Sequence, residues 1–561
     1  MKQYLAIVKL QLKNLLKIDK TKSKNFYIGI FIVLGLLYIM VMGALLTVIV
    51  QADSFIPSIW DEVANEVVAL LFAFSAIIVV LFGIVSMLNV LYFSRDTEFF
   101  LALPVKPGTV FAAKFTVIYL TELVLSALLL LPTLIALGFV AEMPVFYFCT
   151  ILPGILLAPS IPLVLASILA IPLMFVVGFF KNKGALTSVV VLVLFGAFFG
   201  AYFYFAFQMQ STAMDPGGLG GMNESDIAAL YDGIRSAVNV VFPYLAFARF
   251  ASLTPVFGLD PGLSVLVNFA LSFGIVAALI AMAIFVSSLM YARGAAAQLE
   301  STKKKTTGKE QYAQSGVLKT LALREWKTLI RTPYFSFQCL MPLFISPLMV
   351  GFMASLFQSE LTNALAEDGG AIMDSNVIWF ISIAMIFMMG VGMNLAAPTA
   401  FTREGKAFYV MKTIPVDIKT QIRAKISVYM LISVVSIVLS AAVLMFFSPN
   451  LLYFVLTIVV LSAYAYGFNS FAVLFDLRRP KLDWVTPTEA MKQNFNIMIP
   501  LFINMGVGMG LLIVVIALSL LEGIAGMIAI WIIYAVLATV SAILFPRLLN
   551  SKAEKYFFRL S

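Results

Sequence analysis

Few side chains in this sequence could carry out chemistry. None of the 561 residues is a histidine, which excludes imidazole catalysis, histidine metal ligands and histidine proton relays. The two cysteines, Cys149 and Cys339, are too few for a four-ligand zinc site, and neither lies in a CxxC motif. Glu122 is the one carboxylate expected well inside an apolar span. It could line a path for a substrate, or it could be a structural carboxyl that is hydrogen-bonded inside a helix bundle.

The sequence also lacks a G-x-x-x-x-G-K-[ST] loop, whose backbone amides and lysine bind nucleotide phosphates. Gly308-Lys309-Glu310 and Gly405-Lys406-Ala407 have no hydroxyl residue after the lysine. The glycine-rich stretch 216–221 follows no predicted strand, so we interpret it as a loop. By that route the chain is not expected to bind and hydrolyse ATP.

The elements that must position these residues are long apolar segments. The chain is 62% apolar and 12% charged, with a mean hydropathy of +1.02, whereas soluble domains are about 45–50% apolar and about 25% charged. Segments of about 20 apolar residues cross a bilayer as helices. The sequence therefore predicts an all-α polytopic membrane protein with about twelve transmembrane helices, at residues 26–50, 67–93, 110–140, 144–179, 186–208, 263–291, 335–357, 376–401, 421–447, 449–476, 495–518 and 523–546. The prolines of the fourth span predict a broken or kinked helix there.

The distribution of basic residues predicts the orientation of these spans. One set of alternate loops holds 35 of the 37 Lys and Arg residues, and the other set holds only Arg235 and Arg249. Because Lys and Arg accumulate in cytoplasmic loops, both termini are expected in the cytoplasm, which requires an even number of spans. The net charge of +9 is spread over these inner loops, so it indicates contact with anionic lipids and not with nucleic acid.

The chain is expected to consist of two halves, residues 1–292 and 316–561, joined by a polar cytoplasmic linker at 293–315. Each half begins with a predicted amphipathic interfacial helix, at residues 2–22 and 317–331. Lys327-Thr328-Leu329-Ile330-Arg331 matches Lys13-Asn14-Leu15-Leu16-Lys17 in its pattern of basic and apolar residues. This match is the first sign of an internal duplication.

A second match lies between the second and third spans of each half. An offset of 311 residues aligns Pro104-Val105 with Pro415-Val416 and Lys114 with Lys425. Upstream, after a three-residue gap, Phe93-Ser94-Arg95 aligns with Phe401-Thr402-Arg403. Repeats of several spans are common in transporters, so we expect two repeats of six helices. Residues 94–109 and 402–420 could be short interfacial helices that bind in a partner's groove, or plain turns with basic flanks.

Three stretches carry a resemblance to a known family: 95–105, 403–408 followed by Ile414-Pro415-Val416, and the polar segment 476–494. With them, the whole chain resembles the membrane subunit of a bacterial type-2 ABC exporter, a permease. The resemblance implies the type-2 exporter fold, with an amphipathic connector helix at the start of each half, in a bacterial plasma membrane. It also implies a coupling helix that contacts a partner, and the corresponding residues here are Glu98, Phe99, Leu103, Pro104, Glu404, Phe408, Ile414 and Pro415.

The resemblance further implies that the chain is not an enzyme and holds no cofactor. Two copies of a cytoplasmic ABC ATPase would bind ATP and magnesium and power the export of a hydrophobic or amphipathic substrate, such as a peptide, drug or lipid. An ion-coupled secondary carrier or channel is the alternative, although a single intramembrane carboxylate argues against it. A membrane-embedded enzyme acting on lipid is a third possibility, which has few candidates for acid–base catalysis.

Two departures from symmetry are visible. Residues 209–262 form a long external segment with a predicted amphipathic helix at 227–250, whereas the corresponding link in the second half, 519–522, is a tight turn. Conversely, the polar motif Pro480–Trp484 has only residues 181–184 opposite it. We therefore expect the two halves to be coupled unequally and an external lid to come from the first half alone.

Overall fold

The computed structural model describes residues 2–15, 60–91, 96–140, 142, 145–177, short stretches between 186 and 200, 267, 270–287, 316–367, 375–484, 487–491, 494–519 and 524–559. Regular structure within these ranges is entirely helical. The first predicted span, at 26–50, the external helix at 227–250 and most of the fifth span lie outside the described residues.

The chain divides into two compact units, and the first comprises residues 1–179 and 219–301. Its described helices are α1 (Lys2–Leu15), α2 (Trp60–Leu91), α3 (Thr97–Ala102), α4 (Pro107–Val140), α5 (Val145–Leu157), α6 (Ser160–Val177) and α7 (Ala270–Ser287). Helix α2 packs against both α4 and α6, and α1 lies against α4. The amphipathic α1 is thus attached to a long apolar helix of its own unit.

The predicted fourth span, 144–179, is broken in the structure. Helix α5 ends at Leu157 and α6 begins at Ser160, with Ala158 and Pro159 between them. Proline has no amide hydrogen to donate and restricts the residue before it, so a break at Pro159 is expected. Pro153 and Pro172 lie inside α5 and α6.

The second unit comprises residues 180–218 and 302–561. Its main helices are α8 (Val317–Arg331), α9 (Pro333–Leu340), α10 (Pro342–Glu367), α11 (Ser375–Met385), α12 (Phe408–Thr413), α13 (Ile418–Phe447), α14 (Leu451–Arg478), α15 (Pro487–Met491), α16 (Phe495–Ser519) and α17 (Ile524–Arg559). Helix α14 packs along α17, and α13 packs against α10, α14 and the amphipathic α8. The second amphipathic helix is therefore also attached to a long apolar helix.

Eight helices in the described part of the chain are long and apolar enough to cross a membrane. They begin at Pro107, Tyr147, Ala270, Pro333, Ile418, Leu451, Asn496 and Ala525. Residues 78–88 and 377–391 form shorter apolar helices. The all-helical membrane fold agrees with the sequence prediction, whereas twelve spans and a six-plus-six layout are not established by these helices.

The predicted span at 376–401 is not one continuous α-helix. Helix α11 ends at Met385, residues 386–391 form a π-helical turn, and residues 397–399 form a 3₁₀ turn. A π-helical turn leaves backbone groups without their usual partners, and here the Asn504 side chain donates from Nδ2 to the Phe387 carbonyl at 3.1 Å. Tyr464 donates to Asn504 Oδ1 at 2.8 Å and so fixes the amide. Apolar composition alone could not distinguish this turn from regular helix.

Candidate functional site: a buried ionic cluster

Glu325 lies at the centre of the largest group of buried charges that the structure describes. It is the only acidic residue of α8, whose other charged residues are Lys319, Arg324, Lys327 and Arg331. Burial of an isolated carboxylate is strongly unfavourable, yet the residue is only 4% exposed. The reason must lie in its partners.

Two cations and one hydroxyl group satisfy the Glu325 carboxylate. Its Oε1 accepts hydrogen bonds from Arg403 Nη2 at 2.5 Å and from the Tyr429 hydroxyl at 2.7 Å. Its Oε2 accepts from Lys425 Nζ, also at 2.5 Å. The carboxylate therefore connects α8 to the segment before α12 and to α13.

The electrostatics of Glu325 follow from these contacts. Burial by itself would raise the pKa of the carboxyl, but the charges of Lys425 and Arg403 and the hydrogen bonds from Lys425 and Tyr429 outweigh it, and the pKa is lowered to about 2. Burial would lower the pKa of the Arg403 guanidinium, but Tyr429, Glu325 and the hydrogen bond to Glu325 raise it above its ordinary value. Both groups are thus charged at neutral pH.

Glu404 extends the cluster toward the surface. Its Oε1 accepts from Lys425 Nζ at 2.8 Å and its Oε2 from Arg324 Nη2 at 3.0 Å. Lys425 also donates to the Ala400 carbonyl at 3.0 Å. Gly405 follows with a φ of 53°, a left-handed conformation that glycine adopts without strain. The four residues Glu325, Arg403, Glu404 and Lys425, together with Tyr429, are called the Glu325 cluster below.

The polar motif at 476–494 encloses Thr402, next to this cluster. Asp476 Oδ2 accepts from the backbone amides of Phe401 and Thr402 at 2.7 and 2.9 Å, and its Oδ1 accepts from the Thr402 hydroxyl at 2.6 Å. The Trp484 indole donates to the Thr402 carbonyl at 2.7 Å. Asn494 Nδ2 donates to the Thr402 hydroxyl at 3.3 Å. The motif therefore fixes the backbone that carries Arg403 and Glu404.

The first unit contains a smaller cluster at matching positions. Lys114 Nζ contacts Asp96 Oδ1 at 3.0 Å and donates to the Val90 carbonyl at 2.7 Å. Gln11, on α1, donates from its side chain to Asp96 Oδ2. The alignments found in the sequence pair Lys114 with Lys425, Asp96 with Glu404 and Gln11 with Glu325. The same Lys–carboxylate contact thus occurs in both units, with an amide in the first where the second has a carboxylate.

The contact residues expected in the first unit lie on and after α3. Phe99 and Leu103 are 57% and 36% exposed, and Pro104 is also exposed. Glu98 lies within α3. Three of these four side chains are therefore available to a partner.

The contact residues expected in the second unit are not all on the surface. Pro415 is exposed and Ile414 half-buried, while Glu404 is engaged in the Glu325 cluster. Phe408 is fully buried, with its ring centroid 5.3 Å from that of Phe557. Phe408 is thus in no position to present its ring to a partner.

The exposed apolar residues of α12 are Tyr409 and Val410, at 55% and 51%. Under the 311-residue offset Val410 corresponds to Phe99 in the first unit. Neither of these two α12 residues was among the predicted contact residues.

Glu122 is buried beside Ser86. It is 1% exposed and accepts a hydrogen bond from the Ser86 hydroxyl at 3.2 Å. In the second unit Ser433 occupies the corresponding position and accepts from Asn394 Nδ2 at 2.9 Å. Both roles given to Glu122 by the sequence, a wall of a substrate path and a structural carboxyl, stay predictions.

Sequence reasoning missed Glu325, Tyr429 and the role of Thr402. One signal for Glu325 was present: a single acid on an otherwise basic amphipathic helix must either face solvent or bind buried cations. For Tyr429 and Thr402 no comparable signal exists, because their partners lie 104 and 74 residues away in sequence.

A family model described as "Putative ATP-binding cassette" matches residues 20–491, well over half of the chain. The chain belongs to this family. No curated protein and no solved structure matches it. Membership in the ATP-binding cassette family, together with the eight apolar helices, supports an ABC transporter protein that is associated with a membrane.

The match corrects four predictions from the sequence. The family is described as an ATP-binding cassette, which contradicts both the identification as a type-2 exporter permease and the function of a permease subunit. Its description implies ATP hydrolysis, and the binding of ATP and magnesium, in the chain itself. This contradicts the predictions that a separate ATPase alone performs hydrolysis and that the chain holds no cofactor. The alternative of a secondary carrier or channel has no support in the match either.

The described residues do not fit ATP and magnesium. Among them, no group of three His, Cys, Asp or Glu side chains could hold a metal ion. They also contain no strand that leads through a glycine-rich loop into a helix, the usual phosphate-binding arrangement. The function proposed below therefore uses neither group.

Proposed function

We propose that this protein is a membrane-embedded member of an ABC transport complex and that the Glu325 cluster positions its contact with another ABC component. The observation that carries the proposal is the Glu325 carboxylate, which joins three elements at once. These are the amphipathic α8, the segment 401–407 that leads into α12, and the long apolar helix α13. A displacement of any one of them would separate buried opposite charges, which is strongly unfavourable.

The contact surface is proposed to be α3 and α12 with the residues that follow them. Phe99 and Val410, at equivalent positions, are 57% and 51% exposed, while their neighbours Phe100 and Met411 are 5% and 2% exposed. In each short helix, one apolar side chain is therefore buried in its own unit, and the apolar side chain just before it is exposed. Exposed apolar residues on a rigid support are typical of protein contacts.

The recurrence of two contacts supports the proposed division into two repeats of six spans. Lys114 and Asp96 correspond to Lys425 and Glu404, and the Ser86–Glu122 hydrogen bond corresponds to that between Asn394 and Ser433. We extend the proposal to twelve spans, to halves at 1–292 and 316–561 joined by a 293–315 linker, and to a bacterial plasma membrane with both termini in the cytoplasm. The partner would then contact both halves, one copy each.

Affinity purification tests the proposal. The tagged chain is isolated from its native host, and ABC components that copurify are quantified by mass spectrometry. Val410→Glu places a charge in the proposed contact and leaves the Glu325 cluster intact. A loss of 1.4 kcal/mol of contact energy corresponds to an approximately tenfold lower recovery of the partner.

Lys406→Glu is the control, because Lys406 is exposed near α12 but carries no apolar contact surface. Recovery with Lys406→Glu should remain within about threefold of the unchanged chain, as expected of a rim charge. Equal losses in both variants, or no ABC component with the unchanged chain, would contradict the proposed contact.

A further inference from the structure

A cavity lies along α8, and Arg324 is the only one of its described lining residues with an ion pair to the Glu325 cluster. Its volume is about 420 Å³, and its described lining residues are Thr320, Leu323, Arg324, Lys327, Thr328 and Arg331. These residues recur every three or four positions, so they form a single stripe of the helix. Three of the side chains are cationic and two carry hydroxyl groups.

The electrostatic balance of this cavity is strongly positive. None of its described lining residues is acidic, and the only acid of α8, Glu325, is buried among Arg403 and Lys425. Arg324 shares its charge with Glu404, at 3.0 Å. Lys327 and Arg331 are exposed. The hydroxyl groups of Thr320 and Thr328 already donate to the carbonyls of Gly316 and Arg324. The two exposed cations are suited to the oxygens of a phosphate group.

The position of the cavity indicates where the phosphate would come from. Arg331 lies two residues before Pro333, the first residue of a candidate membrane span that continues to Ala354. A basic amphipathic helix directly before a span lies at the level of the lipid headgroups. Leu323, also in the lining, is 45% exposed and offers an apolar surface beside the cations. A free phosphate ion has no apolar part that could contact this surface, whereas a phospholipid has acyl chains that could.

We propose that this cavity binds the phosphate group of an anionic phospholipid, with Lys327 and Arg331 as the principal ligands. Arg324 contributes through its remaining donors, and the hydroxyl groups of Thr320 and Thr328 lie within the same stripe. None of the cavity's six described lining residues belongs to α3 or α12, and the two principal ligands, Lys327 and Arg331, lie outside the Glu325 cluster. The site would anchor α8 at the membrane surface.

Fluorescence quenching in reconstituted bilayers tests this proposal. Trp326 lies on α8 next to Lys327 and is one of five tryptophans, so the difference between the unchanged chain and Trp326→Phe isolates its signal. The full chain is placed in phosphatidylcholine bilayers that contain either brominated phosphatidylglycerol or brominated phosphatidylcholine. The ratio of the two quenching efficiencies measures the local preference for the anionic lipid.

Trp326 should be quenched more strongly by the brominated phosphatidylglycerol. Lys327→Gln and Arg331→Gln should each reduce the preference by a factor of about five, the effect of one cation near a charged membrane surface. Lys319→Gln is the matched control, since Lys319 lies on the same helix but not in the cavity lining. Its preference should remain close to that of the unchanged chain.

Three results would overturn the proposal. Equal quenching by the two lipids would show that the cavity does not select an anionic headgroup. An equal effect of Lys319→Gln would show general attraction to the helix and not a site. Loss of the preference on addition of inorganic phosphate, but not of chloride at the same ionic strength, would show that the cavity takes phosphate from solution.

Discussion

At the scale of single residues, the Glu325 carboxylate forms ion pairs with two buried cations, Arg403 and Lys425. Arg403 and Lys425 are 3% and 4% exposed, so neither can exchange its partner for water. The pairing of Glu404 with Arg324 is different, because the Arg324 side chain is 39% exposed. Loss of a partner should therefore cost more stability in the buried Glu325 pairs than in the Arg324–Glu404 pair, and the two can be compared by mutation.

Glu325→Gln is expected to lower the free energy of unfolding by about 3–5 kcal/mol, because it leaves two buried cations without their shared carboxylate. Arg324→Gln, which breaks the more exposed pair, should cost about 0–1 kcal/mol. Denaturant titration of the full chain in detergent micelles measures both. Similar losses in the two variants would mean that the cluster is more hydrated than its burial indicates.

The same carboxyl gives a prediction for pH. Its pKa is lowered from 4.5 to about 2 on folding, so its contribution to stability is fully present above pH 4.5 and is lost as the pH falls toward 2. The difference in stability between the unchanged chain and Glu325→Gln should therefore be constant above pH 4.5 and shrink below it. A difference that does not change down to pH 2 would contradict the assigned ionisation.

At the scale of elements, the sequence predicted several helices well because long apolar runs and basic stripes are local patterns. Helix α8 was predicted at 317–331, the range it has in the structure, and α13 was predicted at 421–447 and begins at Ile418. The break at Pro159 follows from proline chemistry. The π-helical turn at 386–391 was missed, because it depends on Asn504 and Tyr464, which lie more than 70 residues further along the chain.

Packing between α14 and α17 depends on Gly467. A Cβ atom at this position would lie 2.3 Å from the carbonyl carbon of Ser541, a backbone atom that cannot turn aside. Gly467→Ala should therefore destabilise the protein by about 1–3 kcal/mol, as overpacking does. Thermal unfolding in detergent micelles measures the change.

Gly510→Ala is the control for this prediction. Gly510 lies in α16, and a Cβ there would meet no atom within 4 Å. Replacing a helical glycine by alanine in open space stabilises by about 0.5–1 kcal/mol. If both variants change stability in the same direction, helix propensity and not the approach to Ser541 determines the result at Gly467.

At the scale of the whole molecule, the contacts repeated in the two units support the proposed duplication more strongly than the sequence matches alone. The sequence aligned Lys114 with Lys425, but only the structure reveals that each lysine binds the carboxylate that precedes its short helix. Among the residues predicted to contact a partner, Phe99, Leu103, Pro104 and Pro415 are exposed, whereas Phe408 is buried. Hydrophobicity cannot distinguish Phe408 from Tyr409 and Val410, because burial depends on the distant Phe557.

The proposed topology gives a prediction for labelling. Cysteines introduced at Lys2 and Lys555, both exposed, should react with an impermeant thiol reagent only from the cytoplasmic side. A cysteine at Ser225, in the predicted external segment, should react from the other side. Labelling of positions 2 and 555 from opposite sides would require an odd number of spans and would contradict the repeat.

The most direct test of the account is cross-linking from α12 in the assembled complex. Cys149 and Cys339 are both free thiols, so they are replaced by serine before one cysteine is introduced at Val410 or at Phe446. Phe446 is 88% exposed at the opposite end of α13 and is the control. The account predicts a covalent product between position 410 and another ABC component, and no such product from position 446. Equal products from both positions, or none from position 410 in an intact complex, would contradict the proposed contact.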